Sequence, residues 1–195
     1  MDVGHWYGDP GVFSASGKAE LEFNLELAYE LKDHLLQSGF RVRLIEDVPV
    51  LAERTRMAEG ADLFVSIHHD SVRPELMAEA DRFSGFSLFV SRLNPQVDKS
   101  VACAAAIGTE LRAAGLEPSR YHADPVLGEN RPYADTTNGV HYFDNLAVAR
   151  TATMPALLVE AGVIVNRHEE LRLRDPEMRR RIANAIADGV RSCLR

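Results

Sequence analysis

An apolar run, Ala61-Asp62-Leu63-Phe64-Val65, leads directly into Ser66-Ile67-His68-His69-Asp70. The run has the length and composition of a buried strand. It hands over to two imidazoles and a carboxylate, groups that an apolar core does not take without partners. In open parallel sheets, sites form in the crevice beyond the carboxyl ends of the strands. A strand that ends in this way therefore constrains both the fold and the place of any site within it.

The flanking segments supply the rest of such a sheet. Asp2-Val3-Gly4-His5 reads as the end of a strand, and Asp9-Pro10-Gly11 as a turn. Over residues 18–38, Leu21, Leu25, Ala28, Leu31 and Leu35 recur at helical spacing, and Gly39 follows as a C-terminal cap. Residues 40–45 alternate and predict a strand, residues 51–59 a short helix closed by Gly60. Beyond the central strand, residues 72–84 read as loop, 85–90 as strand and 97–114 as an Ala-rich helix ending at Gly115. Residues 116–139 are irregular and rich in Pro, Asp, Asn and Gly; they hold His122, Gly128-Glu129-Asn130-Arg131 and Asp135. Loops this long in a compact domain are usually functional or mobile. Residues 146–149 predict a strand, 155–160 a strand closed by Glu160, and 176–193 a final helix. The strand–helix rhythm implies right-handed crossovers. The expected architecture is one α/β domain over residues 1–195, with a mainly parallel twisted sheet and helices on both faces.

Composition narrows the function classes. The net charge of −7 carries no basic footprint for nucleic acid and argues against a polyanionic partner. It leaves neutral or weakly charged polymers open. No apolar run is long enough to span a bilayer. The N-terminal residues have neither the basic region nor the apolar core of a signal peptide. Cys103 and Cys193 both fall in expected helices and are read as plain helix residues rather than as a disulfide.

His5, His68 and Glu160 share one property: each is expected at the carboxyl end of a strand, while the first helix brings a carboxylate to the same edge. Glu22, near the start of that helix, is the carboxylate read there; the alternative is that Glu22, like Glu20 or Glu26, is an ordinary helix-face carboxylate. Two imidazoles and a carboxylate form a recurrent catalytic zinc set that keeps one position open for water. A separate carboxylate can then take the water proton and return it to a leaving amine, which is the chemistry of amide hydrolysis. Glu160 ends an apolar run, where an ionised carboxylate is costly without a partner.

Three stretches carry a family resemblance. Asp2-Val3-Gly4-His5, Asp9-Pro10-Gly11, Gly17 and Glu22 resemble the opening of the zinc-dependent N-acetylmuramoyl-L-alanine amidases of the amidase-3 type, which trim bacterial cell walls. Leu51, Arg54 and the segment from Ala61 to His68 resemble their central signature. The segment from Met154 to Gly162, with Asn166 and Glu169-Glu170 behind it, resembles their closing one. The resemblance covers nearly the whole chain in order. It implies zinc held by His5, Glu22 and His68, with Glu160 as the essential carboxylate. It selects Glu22 over Glu20, and His68 over His69.

The implied reaction is hydrolysis of the amide between N-acetylmuramic acid and L-alanine in peptidoglycan, by a monomer in the periplasm or outside the cell. A zinc carboxypeptidase, another amidohydrolase or a silent wall-binding module are the alternatives. Trp6 stands where the family often has glycine, and is expected to offer a sugar-stacking surface or to pack against the domain. Asp70 stands where it often has Asn, and is expected to orient a ligand imidazole or to be solvated. Glu129 and Arg131 are candidate contacts to the stem peptide. His69, His122 and His141 receive no role.

Overall fold

The first helix follows from its spacing. Leu21, Leu27, Ala28, Leu31 and Leu35 form its buried stripe, and Gly39 ends it at a φ of +86°, a conformation that glycine adopts without steric cost. In the computed structural model, which describes residues 1–195, this helix α1 (Glu20–Gln37) follows strand β1 (Asp2–Val3). The remaining strands are β2 (Phe64–Asp70), β3 (Ser87–Val90), β4 (Tyr133–Asp135), β5 (Val140–Tyr142) and β6 (Ala156–Val163). The remaining helices are α2 (Leu51–Met57), α3 (Val97–Ala113), α4 (Ala147–Thr151), α5 (Arg167–Leu173) and α6 (Pro176–Cys193). Short 3-10 turns span Pro74–Arg82 and Tyr121–Ala123.

The strands form one sheet in the order β1-β2-β6-β3-β5-β4. β1 with β2, β2 with β6 and β3 with β5 run parallel, whereas β3 with β6 and β4 with β5 run antiparallel. The sheet is therefore mixed and mostly parallel. Alternation along β2 and β6 assigns the faces. Val65, Ile67, Leu157, Val159 and Ala161 enter the main core with α1, α3 and α6. Phe64 and Ala156 enter a second core with Ile45, Val148 and Met154, next to α2 and α4. By the same parity His68 and Glu160 lie on this second face. They are also register partners in the β2–β6 pair, so one row of the sheet carries both.

Several segments depart from expectation. Residues 40–45 form no strand; Ile45 alone bridges to Asp2, because β1 offers only two residues to pair with. Residues 147–149 belong to α4, with Leu146 as its N-cap, a short apolar run that periodicity cannot tell from a strand. The expected loop at 72–84 contains the Pro74–Arg82 turn, which buries Leu76 and Ala80. Glu160 does not close its strand, since β6 continues to Val163. Cys103 of α3 and Cys193 of α6 are joined in a disulfide, with Cα atoms 4.9 Å apart. The two helices pack side by side, a proximity that residues 90 apart do not announce. The final helix coincides with expectation: Asp175 caps it through the Glu177 amide, and Pro176 opens it. No helix is long and apolar enough to cross a membrane.

Candidate active site

β1 delivers His5 to the site in a left-handed conformation, φ +68°, which is costly for a residue with a Cβ. Buried Arg54 holds it there. Its guanidinium donates to the Val3 carbonyl at 2.9 Å and the His5 carbonyl at 2.5 Å, and its Nε donates to the Val48 carbonyl at 2.7 Å. Gly4 makes room for the second imidazole: a Cβ on it would sit 2.3 Å from Nε2 of His68.

The first helix supplies the carboxylate, and it is Glu20. Its Oε2 lies 3.0 Å from His5 Nε2, and its Oε1 lies 3.0 Å from His68 Nδ1. One donor atom from each of the three residues falls within 4.8 Å of the other two. Around a tetrahedral zinc with bonds of ~2.1 Å, donor atoms stand ~3.4 Å apart, so the set fits this ion with little movement. Glu22 is placed elsewhere. It is exposed and its Oε1 accepts from the Ala19 amide at 3.1 Å, closing the first turn of α1. Two residues along a helix is about 200° of rotation, so both carboxylates cannot face the same site. Only the buried one, Glu20, meets the imidazoles.

Electrostatics agree with this arrangement. Burial opposes the charge on Glu20, but the hydrogen bonds from His5 and His68 outweigh it and hold the carboxyl far below its usual range. Burial likewise disfavours charged His5, yet the Glu20 contact and the Asp9 charge leave its imidazole above the ordinary value. Glu160 shows the opposite. Its Oε2 is buried without a hydrogen-bond partner. Burial, then the charges of Asp70, Glu20 and Glu129, push its carboxyl well above the usual range. A carboxyl of raised proton affinity beside the His5–Glu20–His68 set is suited to proton transfer near neutral pH.

His69 projects to the opposite face. Its Nδ1 shares a 2.8 Å hydrogen bond with Asn24 Oδ1, its ring packs on Phe23, and burial pushes its pKa down to about 3. It is a neutral core residue. Asp70 does not orient a ligand imidazole. The β2–β6 register shifts between His68 and Asp70, and this turns Asp70 toward His122, whose Nε2 donates to Oδ2 at 2.6 Å. His122 Nδ1 donates to Glu129 Oε2 at 2.8 Å. A neutral imidazole has one N–H and cannot serve two carboxylates, so His122 is a cation. Burial resists that charge, but Asp70 and Glu129 raise its pKa to about 9.

Glu129 is also bonded to Arg131, whose guanidinium lies 3.4 Å from the Phe143 ring centroid. Asp70, His122, Glu129 and Arg131 thus tie the irregular 121–131 segment to β2. Trp6 folds over Gly8, where a Cβ would meet its ring at 2.1 Å. His141 is buried among Phe89, Tyr133 and His122 with both ring nitrogens unpartnered, and burial lowers its pKa to about 4. Sequence reasoning left His122 and Arg54 without roles. The signal for His122 was the carboxylate at position 70, which needed a partner once buried.

A family profile described as N-acetylmuramoyl-L-alanine amidase matches residues 1–192. The chain is 28% identical to the N-acetylmuramoyl-L-alanine amidase AmiC of Neisseria meningitidis serogroup B, covering 97% of this chain and 51% of that protein. It therefore spans about half the length of that relative. Among solved structures, the catalytic domain of CwlV, an N-acetylmuramoyl-L-alanine amidase from Bacillus (Paenibacillus) polymyxa var. colistinus, superposes with a TM-score of 0.76 at 30% identity, covering 98% of this chain and 94% of that one. An N-acetylmuramyl-L-alanine amidase from Mycobacterium smegmatis superposes with a TM-score of 0.78 at 25% identity, covering 94% of this chain and 81% of that one.

Proposed function

The chain belongs to the N-acetylmuramoyl-L-alanine amidase family, and on that premise we propose that it hydrolyses the amide between the lactyl group of N-acetylmuramic acid and L-alanine in peptidoglycan, with zinc held by His5, Glu20 and His68. The observation that carries this reading is the convergence of those three residues, with donor atoms within 4.8 Å of one another, His68 sharing a sheet row with Glu160 and its buried, unpartnered oxygen. Zinc bound there would polarise the lactyl carbonyl and acidify a water. Glu160 takes the proton of the attacking water and passes it to the departing alanine nitrogen. Its raised proton affinity lets it hold that proton between the two steps. Glu129 and Arg131, tied through His122 to Asp70 of β2, are the proposed contacts to the stem peptide, with Trp6 beside His5 as a further one.

One chain supplies every group of the site, so a monomer suffices. The substrate places the reaction in the periplasm or outside the cell, and the Cys103–Cys193 disulfide suits an oxidising compartment.

Metal analysis of the purified protein beside mass spectrometry of digested muropeptides tests the proposal. Stoichiometric zinc and release of intact stem peptides are expected. Glu160→Gln should keep zinc and fold and lose roughly a hundredfold or more in kcat. Release of single terminal amino acids would instead identify a carboxypeptidase. Bound zinc with no turnover would identify a wall-binding module.

A further inference from the structure

Ser87 opens β3 directly opposite Glu160 in the antiparallel β3–β6 pair. Residues opposite one another in such a pair project from the same face, with Cβ atoms about 5 Å apart. Ser87 is fully buried, and its Oγ has no hydrogen-bond partner. Glu160 Oε2, on the facing strand, is buried and unpartnered as well. Buried polar atoms without partners are rare and costly. Here two of them belong to register partners on neighbouring strands, one a hydroxyl able to donate and the other a carboxylate oxygen able to accept. The row across the sheet then reads His68, Glu160, Ser87. The carboxylate has an imidazole of the metal set on one side and a hydroxyl on the other. Leu88 and Phe89, the next residues of β3, pair with Val159 and Leu158, so no other side chain of that strand is opposite Glu160.

We propose that Ser87 is a positioning residue for the base: its hydroxyl turns to donate to Glu160 Oε2 and fixes the carboxylate in the rotamer that meets the attacking water. The Ser87 side chain rotates about one bond, so the contact can form without movement of the backbone. Phe89 and Leu158, the next pair on the same face, are both buried. The assignment rests on Glu160 being the base of the proposed hydrolysis.

Two measurements on the zinc-loaded protein test it separately. With muropeptide substrate, Ser87→Ala is expected to lower kcat about tenfold to a hundredfold, the range for a lost hydrogen bond to a charged group, with KM and zinc content unchanged. Ser87→Thr should restore most of the loss. In a Glu160→Gln background the Ser87→Ala change should have little further effect, because the two residues act as a unit. The second measurement needs no turnover. In isotope-edited infrared spectra, the Glu160 carboxylate band, identified by its loss in Glu160→Gln, should move in Ser87→Ala at the same pH. A stationary band overturns the assignment, as does an equal kcat loss in both backgrounds. A wild-type protein that turns over no muropeptide while the band still moves would refute the hydrolase reading and leave the Ser87–Glu160 contact standing.

Discussion

His122 is the place where a single substitution should separate electrostatics from packing. It stands between Asp70 Oδ2 at 2.6 Å and Glu129 Oε2 at 2.8 Å, and these carboxylates raise its pKa to about 9. An unfolded histidine titrates near 6.5, and each tenfold change in proton affinity is worth about 1.4 kcal/mol, so the charged cluster contributes on the order of 3 kcal/mol. The lowered pKa of Glu129 has contact with His122 as its first cause, so it describes the same interaction and is not added. The sign follows from the raised folded value. Below about pH 6.5 both states bind the proton and the contribution is complete. Between there and about pH 9 the unfolded chain releases a proton that the folded chain keeps, so stability falls; above that range the contribution is gone. His122→Gln keeps much of the shape and removes the charge. At pH 6 it should cost roughly 3 kcal/mol, since it leaves buried Asp70 and the half-exposed Glu129 without the cation between them. By pH 10 the gap to wild type should narrow by about 3 kcal/mol. Urea unfolding followed by circular dichroism on chelator-treated protein, at intervals from pH 6 to 10, measures this without a contribution from metal binding. A gap that stays constant across the range would refute the cationic assignment and reduce His122 to a packing residue.

The other predictions concern the metal set and the disulfide. Glu20→Gln should lose zinc affinity by at least a hundredfold in competition with a chromogenic chelator, because it removes a charged ligand. Glu22→Gln should leave affinity within about threefold and stability nearly unchanged, because a glutamine oxygen can still accept from the Ala19 amide; the reverse pattern would restore Glu22 as the ligand. Cys103→Ser, measured by thermal unfolding, should lower stability by about 2 to 4 kcal/mol, since the bond closes a long loop, and should leave zinc content unchanged.

What local sequence could determine is visible element by element. The spacing of Leu21, Ala28, Leu31 and Leu35 specified α1, and Asp175-Pro176 specified the start of α6, because a buried stripe and a cap are written within a few residues of each other. His5, His68 and Glu160 could be named as site residues because each is a polar group set against an apolar strand. Tertiary structure decided the rest. It chose Glu20 over Glu22, since helix rotation relative to the sheet is set by the packing of α1 on β2 and α6 and not by the residues around the carboxylate. It turned Asp70 to His122, since the β2–β6 register shifts between His68 and Asp70, whereas alternation alone already sent His69 to the face of Val65 and Ile67. It joined Cys103 to Cys193, and it set Ser87 opposite Glu160, through contacts between elements far apart in the chain. Periodicity reports which side of an element is buried. It carries no information about which neighbour that side meets, and the site is made of such meetings.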